Sequence, residues 1–397
     1  MRLSRCYSFH DFRALARQRL PKPVFDYIEG GADDERTLRR NTAAFDDCDL
    51  VPNVLVGVRE VDMSVTVMGQ KLAMPIYCSP TALQRLFHHE GERAVAAAAS
   101  KFGTMFGVST LGTVSLEEIR RFEGPQAYQF FFHKDRALND AMVDRAKEAG
   151  VDVMMLTVDS ITGGNRERDQ RNGFGIPFRL SLEAIFEFAT HPGWTIAYLT
   201  HEGFKLPQLD RHIDLRGTPM TISRYFTEML DPAMDWADVE AMMKRWNGPF
   251  CLKGIMSVDD CRRAADLGCA GVILSNHGGR QLDGSRSPFD QLAEVVDAVG
   301  DRIDVIMDGG VERGTHVLKA LSLGAKAVGG GRFYLFALAA AGQPGVERAL
   351  SLMRTEIERD MRLMGCRTVA DLSRRNLGFR HSSGEAVADA PHASRYP

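Results

Sequence analysis

The chain has 397 residues, 44% of them hydrophobic and 25% charged, the balance of a folded protein with a substantial core. A net charge of -3 and a pI near 6.4 give no electrostatic basis for nucleic-acid binding. No stretch reaches the ~18 uninterrupted apolar residues of a spanning helix, and the basic, amphipathic start "MRLSRCYSFHDFRALARQRL" lacks the apolar centre of a secretory signal.

Residues 1–73 precede any repeat and predict a helix near 9–19 and a second after Pro23. From residue 74 onward, short apolar runs rich in β-branched or aromatic residues recur at 74–80, 104–109, 127–132, 153–159, 249–254, 271–276, 304–310 and 327–332. Most are separated by stretches of helical spacing such as "GERAVAAAASKFG" and "GTHVLKALSLG", several closing with the Gly that commonly stops a helix. Unbroken apolar strands alternating with helices imply a parallel sheet covered on both faces. Eight such units predict an α/β protein built on a closed (β/α)8 TIM barrel, in preference to an open doubly wound sheet.

The barrel core is expected over about 74–345, inside a single domain spanning 1–380. Residues 160–248 read as a long insertion after the fourth strand, of the kind that forms a lid at a barrel mouth. The polar tail 381–397 reads as disordered. Seven cysteines are scattered without a C-x-x-C pair, which predicts free thiols in a reducing cytoplasm and no metal site.

The chemistry concentrates at the strands' C-terminal tips, the face on which barrels carry their sites. "DGG" after the seventh strand and "GGGR" after the eighth offer bare backbone N–H groups and an arginine, a pattern suited to one phosphate. Ser109, Gln129, Thr157 and Lys253 then line the floor under a planar ligand whose ring carbonyls and nitrogens they hydrogen-bond. Together these features point to flavin mononucleotide, whereas no G-x-G-x-x-G supports a dinucleotide. His277, in "SNHGGRQLDG", shares a strand tip with Arg280 and is placed to face Asp159. A carboxylate beside an imidazole favours the charged form of a base that has just accepted a proton. Arg280 and Arg166 supply guanidinium forks for a substrate carboxylate.

These residues resemble the FMN-dependent α-hydroxy acid oxidase and dehydrogenase family, which includes glycolate oxidase, lactate-oxidising flavoenzymes and (S)-mandelate dehydrogenase. The resemblance covers about residues 8–380. "SNHGGRQLD" is its most specific motif, with "LPKPVFDYIEGGADDERTL", "SPTALQ", "TVDS", "LKG", "DGGVERGTHVLKALSLGA" and "GR" in matching order. The resemblance implies His277 as base, Asp159 as its charge partner, and Tyr27, Arg166 and Arg280 on the substrate carboxylate. It implies Ser109, Gln129, Thr157, Lys253 and Ser275 on the flavin ring and ribityl chain, with Pro80, Thr81 and Ala82 at the reactive edge. Asp308, Gly309, Gly310, Arg313, Gly331 and Arg332 are implied at the phosphate. The implied reaction converts an (S)-2-hydroxy acid to the 2-oxo acid, by hydride transfer to the flavin or through a carbanion, and a homotetramer is the implied assembly.

Three departures modify that expectation. Phe131 stands where the family usually has a substrate-contacting tyrosine, and Leu111 where glycolate oxidases often have tryptophan. Both favour a larger or aromatic, mandelate-like substrate. Glu312 replaces the usual phosphate-side arginine. Lactate oxidation, an oxidase returning electrons to oxygen, and a specialised biosynthetic flavoenzyme stay open as alternatives. The electron acceptor is left open among a quinone, a cytochrome and oxygen. The segment "LEAIFEFATHPGWTIAYLTHEGF" is apolar without a polybasic face. A helical lid or oligomer contact explains it, and peripheral contact with the inner membrane face through residues 180–230 is the alternative.

Overall fold

Each of the eight apolar runs forms a strand: β1 Ile76–Cys78, β2 Phe106–Ser109, β3 Gln126–Phe131, β4 Val153–Thr157, β5 Phe250–Ile255, β6 Gly271–Leu274, β7 Asp304–Asp308 and β8 Ala327–Gly330. Neighbours pair in parallel, and β8 returns to β1 with Val328 opposite Ile76, closing the barrel. The computed structural model describes residues 2–175, 182–209, 225 and 228–380, so the tail 381–397 and part of the 160–248 stretch lie outside the described residues. Several strands stop short of the apolar runs that predict them, because the tip residues leave the ladder to serve the mouth.

Side-chain alternation along the strands sets up the site. Ala127, Met155, Cys251, Ile273 and Ile306 belong to one buried cluster with Tyr77, Met105, Val153 and Ala327. Two residues further along, the same face carries Gln129, Thr157, Lys253, Ser275 and Asp308, all buried. An apolar layer therefore carries a polar ring above it. Below, the hairpin of Val65–Val67 and Gln70–Leu72 adds Val67, Met68 and Leu72 to that cluster. Its Met68 N–H donates to Asp304 Oδ2 at 2.6 Å, which fixes the hairpin beneath the N-terminal end of β7.

The N-terminal region forms α1 Phe9–Arg19, α2 Lys22–Glu29 and α3 Arg36–Ala43. Pro23 lies inside the first turn of α2 rather than ahead of it, where its missing N–H costs no helical bond. α1 packs on the last long helix, Arg332–Leu363, with Phe9 edge-on to Phe336 at 5.6 Å. That helix carries structure past residue 345 and is broken at Ala341 and Gly342. Cys48–Leu50 pairs with Leu377–Phe379, tying the start of the chain to its end.

Between β4 and β5 the described residues include helices Leu182–Thr190, Pro192–Thr200 and Trp236–Trp246. The last packs on Arg136–Glu148 as the barrel's own helix for that unit, so the 160–248 stretch is not all excursion. All seven cysteines are buried free thiols. Among the described residues no helix is long and apolar enough to cross a membrane.

Candidate active site

A cavity of about 190 Å³ opens at the C-terminal ends of the strands. Its wall includes Pro80, Thr81, Ala82, Ser109, Leu111, Gln129, Phe131, Lys253, His277, Arg280, Asp308, Gly309, Gly310, Gly331 and Arg332 from the barrel. Arg166 comes from the loop after β4, and Tyr27 closes one side from α2. Three expected residues stand directly behind this wall. Thr157 Oγ1 accepts from Gln129 Nε2 at 2.9 Å, and Gln129 Oε1 accepts from Ser109 Oγ at 2.9 Å. Ser275 Oγ accepts from Lys253 Nζ at 3.1 Å and from the His277 N–H at 3.1 Å. Asp159 completes the set behind His277.

Lys253 is buried yet carries a charge partner, with Nζ 3.3 Å from Asp308 Oδ2. Burial works against its ammonium, but Asp308 and Asp159 outweigh that and raise its pKa. The floor thus holds a fixed cation beneath a row of hydroxyl and amide groups.

His277 occupies the left-handed region at φ 57°, a strained conformation for a non-glycine residue. That turn brings its Nδ1 to 3.1 Å from Asp159 Oδ1, and Ser160 Oγ donates to the same oxygen at 3.0 Å. Burial opposes charge on Asp159, but His277 and then Lys253 hold its carboxyl below the usual range. Gln281 Nε2 donates to the Asp159 carbonyl at 3.0 Å and fixes the loop. Gly254 lies against the carboxylate: at φ 93°, a Cβ there would come within 2.4 Å of Asp159 Cγ. Ser160, Gln281 and Gly254 carry no separate signal in the sequence, although they lie within the motifs "TVDS", "SNHGGRQLD" and "LKG".

Tyr27 organises the opposite side. The Arg280 and Arg166 guanidiniums lie over its ring at 4.9 and 5.4 Å, and Phe174 stacks on it at 4.5 Å. Arg280 donates to the Tyr27 and Gly30 carbonyls at 2.7 and 2.8 Å, capping the end of α2. Arg166 pairs with Asp169 at 3.4 Å. Burial, then the like charge of Arg166, pushes the Arg280 pKa down.

Arg332 donates to the Ile28, Gly30 and Gly278 carbonyls at 2.8, 2.8 and 2.9 Å. Among the described residues no carboxylate pairs with it, and burial, then Arg280, pushes its pKa down. A guanidinium in that state is short of an anion. It stands at the start of the Arg332–Leu363 helix, whose Gly331 N-cap supplies no side chain, and the helix's own bonds begin at the Tyr334 N–H, which leaves the Arg332 and Phe333 N–H groups for an anion. An FMN phosphate fits this end of the cavity. Gly310 has a structural role of its own, since a Cβ there would meet the Asn41 carbonyl at 2.2 Å.

Arg313 is not brought into the cavity wall. It forms the N-cap of the Gly314–Leu323 helix and turns outward to Glu356 at 3.0 Å. Glu312 instead lines the wall, accepting from Thr42 Oγ1 at 3.4 Å with His10 Nε2 at 3.9 Å. Burial raises the Glu312 pKa.

The profile of the FMN-dependent dehydrogenase family matches residues 16–378. Glycolate oxidase 1 of Oryza sativa subsp. indica is 39% identical over 368 residues, which cover 92% of this chain and 94% of that one. Among solved structures, the monotopic membrane protein (S)-mandelate dehydrogenase superposes with a TM-score of 0.90 at 34% identity, covering 94% of this chain and 100% of that one. A mandelate oxidase superposes with a TM-score of 0.81 at 36% identity, covering 94% and 98%.

Proposed function

Because the chain belongs to the FMN-dependent dehydrogenase family, we propose that it oxidises an (S)-2-hydroxy acid bearing a large or aromatic side chain to the 2-oxo acid. The observation that carries this reading is one cavity whose wall joins His277, backed by Asp159, to the two arginines around Tyr27. Leu111 and Phe131, both buried in that wall, add apolar surface rather than hydroxyl or indole groups, which suits a substrate larger than glycolate. The likeness to mandelate enzymes supports the same choice.

In this reading the chain's residues divide the work. Arg280 and Arg166 hold the substrate carboxylate, and Tyr27 keeps the two cations together despite their repulsion. His277 takes the hydroxyl proton, and Asp159 fixes the ring and stabilises the charge it acquires. Ser109, Gln129, Thr157, Lys253 and Ser275 would hold the flavin ring and ribityl chain, with Pro80, Thr81 and Ala82 at its edge. Gly309, Gly310, Gly331 and Arg332 would hold the phosphate, while the Asp308 carboxylate stays on Lys253. Bound FMN supplies the acceptor for the two electrons that leave the α-carbon. The buried Lys253 cation would stabilise negative charge on a reduced ring held there.

The acceptor beyond the flavin is assigned here to something other than oxygen. The helices Leu182–Thr190 and Pro192–Thr200 expose Ile185, Phe186, Ile196 and Leu199, an apolar surface suited to peripheral membrane contact. The mandelate dehydrogenase neighbour is itself described as monotopic. The test of the catalytic assignment is His277→Ala, which should keep yellow, bound flavin yet lose its anaerobic reduction by hydroxy acid. Reduction at the unmodified rate would remove His277 from the role.

A further inference from the structure

Phe87 lines the cavity just described and also a second one of about 460 Å³ that holds none of the residues assigned above. The second wall carries four histidines. His88 and His89 follow the short helix Gln84–Phe87, while His191 and His201 flank the Pro192–Thr200 helix. His89 stacks on His201 with ring centres 4.0 Å apart, and Trp194 stacks on Tyr198 at 5.0 Å and 10°. The Trp194 indole is held in place by its Nε1–H donating to the Leu86 carbonyl at 2.8 Å.

A wall rich in flat rings, the His89–His201 planes tilted by 29° and the Trp194–Tyr198 planes by 10°, suits a flat aromatic guest. They do not hold a metal ion, since among the described residues no three His, Cys, Asp or Glu side chains are placed to ligate one. The hydrogen-bonding pattern narrows the guest further. His191 Nδ1 donates to the Glu187 carbonyl at 2.8 Å and His201 Nδ1 to the Ala197 carbonyl at 2.9 Å, so a neutral ring in either place offers Nε2 as an acceptor. His88 Nδ1 accepts from the Glu90 N–H at 3.4 Å, which places its proton on Nε2, a donor. Burial, with the neighbouring His89, pushes the His88 pKa down to about 4, and burial with His201 lowers that of His89, so both rings are neutral near pH 7. A wall of aromatic faces with both donors and acceptors matches a ring whose carbonyls accept before reduction and whose hydroxyls donate after it. The Pro192–Thr200 helix also exposes Ile196 and Leu199 beside the cavity, which suits a guest that partitions into lipid.

We propose that this second cavity binds a lipophilic quinone as the electron acceptor of the enzyme. The proposal rests on the hydroxy acid reading above. Overall, the hydroxy acid loses two electrons and two protons to become the oxo acid. The quinone gains two electrons and two protons, and its two C=O groups become two C–OH groups. Phe87, common to both walls, places the two cavities side by side.

The test uses flavin-loaded enzyme reduced anaerobically with one equivalent of dithionite, so that no hydroxy acid is needed. The reduced enzyme is mixed in a stopped-flow instrument with decylubiquinone or, separately, with ferricyanide, and flavin reoxidation is followed. Ala197→Trp fills the cavity from its wall, and His201→Ala removes one polar contact with little change in bulk. The expected result is that each slows reoxidation by decylubiquinone about tenfold or more, with ferricyanide reoxidation unchanged. Should Ala197→Trp lose flavin, His201→Ala carries the comparison alone. Wild-type rates with decylubiquinone in the variants, equal slowing with both oxidants, or a wild-type enzyme that decylubiquinone does not reoxidise would each overturn the proposal. Failure of the hydroxy acid reading has a different signature, a flavin that no hydroxy acid bleaches.

Discussion

His277 Nδ1 lies 3.1 Å from Asp159 Oδ1 across 118 residues of chain, with the histidine held at a positive φ to reach it. The carboxyl sits below its ordinary pKa of 3.8, so the charge on Asp159 is present at all pH values above that figure and is lost only as pH falls below it. Asp159→Asn keeps the shape and removes the charge. The rate of anaerobic flavin reduction should fall about 10²-fold or more, with flavin content unchanged. Stopped-flow absorbance gives both readings at once.

Under the proposed function, Leu111 should set how much room the substrate side chain has. Its N–H donates to Ser109 Oγ at 3.2 Å, so a substituent at this position is held in the wall rather than free to swing away. Leu111→Trp should raise the KM for aromatic hydroxy acids about tenfold and leave that for lactate nearly unchanged. Equal effects on both would mean that Leu111 does not shape substrate choice.

Glu312 should make flavin binding pH-dependent. Its carboxyl is already raised above the ordinary 4.5 by burial, and a bound phosphate nearby would raise it further. The protonated form therefore binds phosphate better, and affinity for FMN should weaken as pH rises through this group's raised pKa. Glu312→Gln should flatten that dependence, and Glu312→Arg should tighten binding about tenfold. Titration of flavin fluorescence against apoprotein at several pH values measures this directly.

Much of the site was legible because barrel strands alternate. Once the run containing Met155 is read as a buried strand, Thr157 two residues on must share its face, and the same step leads from Cys251 to Lys253 and from Ile306 to Asp308. Arg313 was not legible in this way. It follows Glu312 in a loop, where no periodicity says which of the two side chains faces the cavity, and its partner Glu356 is distant in sequence. The part played by α2 was equally hidden: its last carbonyls gather Arg280 and Arg332, a contact spanning some 250 to 300 residues. The second cavity depends on how helices of the long insertion fold back onto the segment after β1, for which the sequence holds no local signal.

The most direct measurement is anaerobic bleaching of the flavin absorbance of the purified enzyme by (S)-lactate, (S)-mandelate and (S)-phenyllactate, compared side by side. Faster bleaching by the two aromatic acids is the predicted result. Bleaching fastest with lactate, or with none of the three, would contradict the assignment of a large (S)-2-hydroxy acid as substrate.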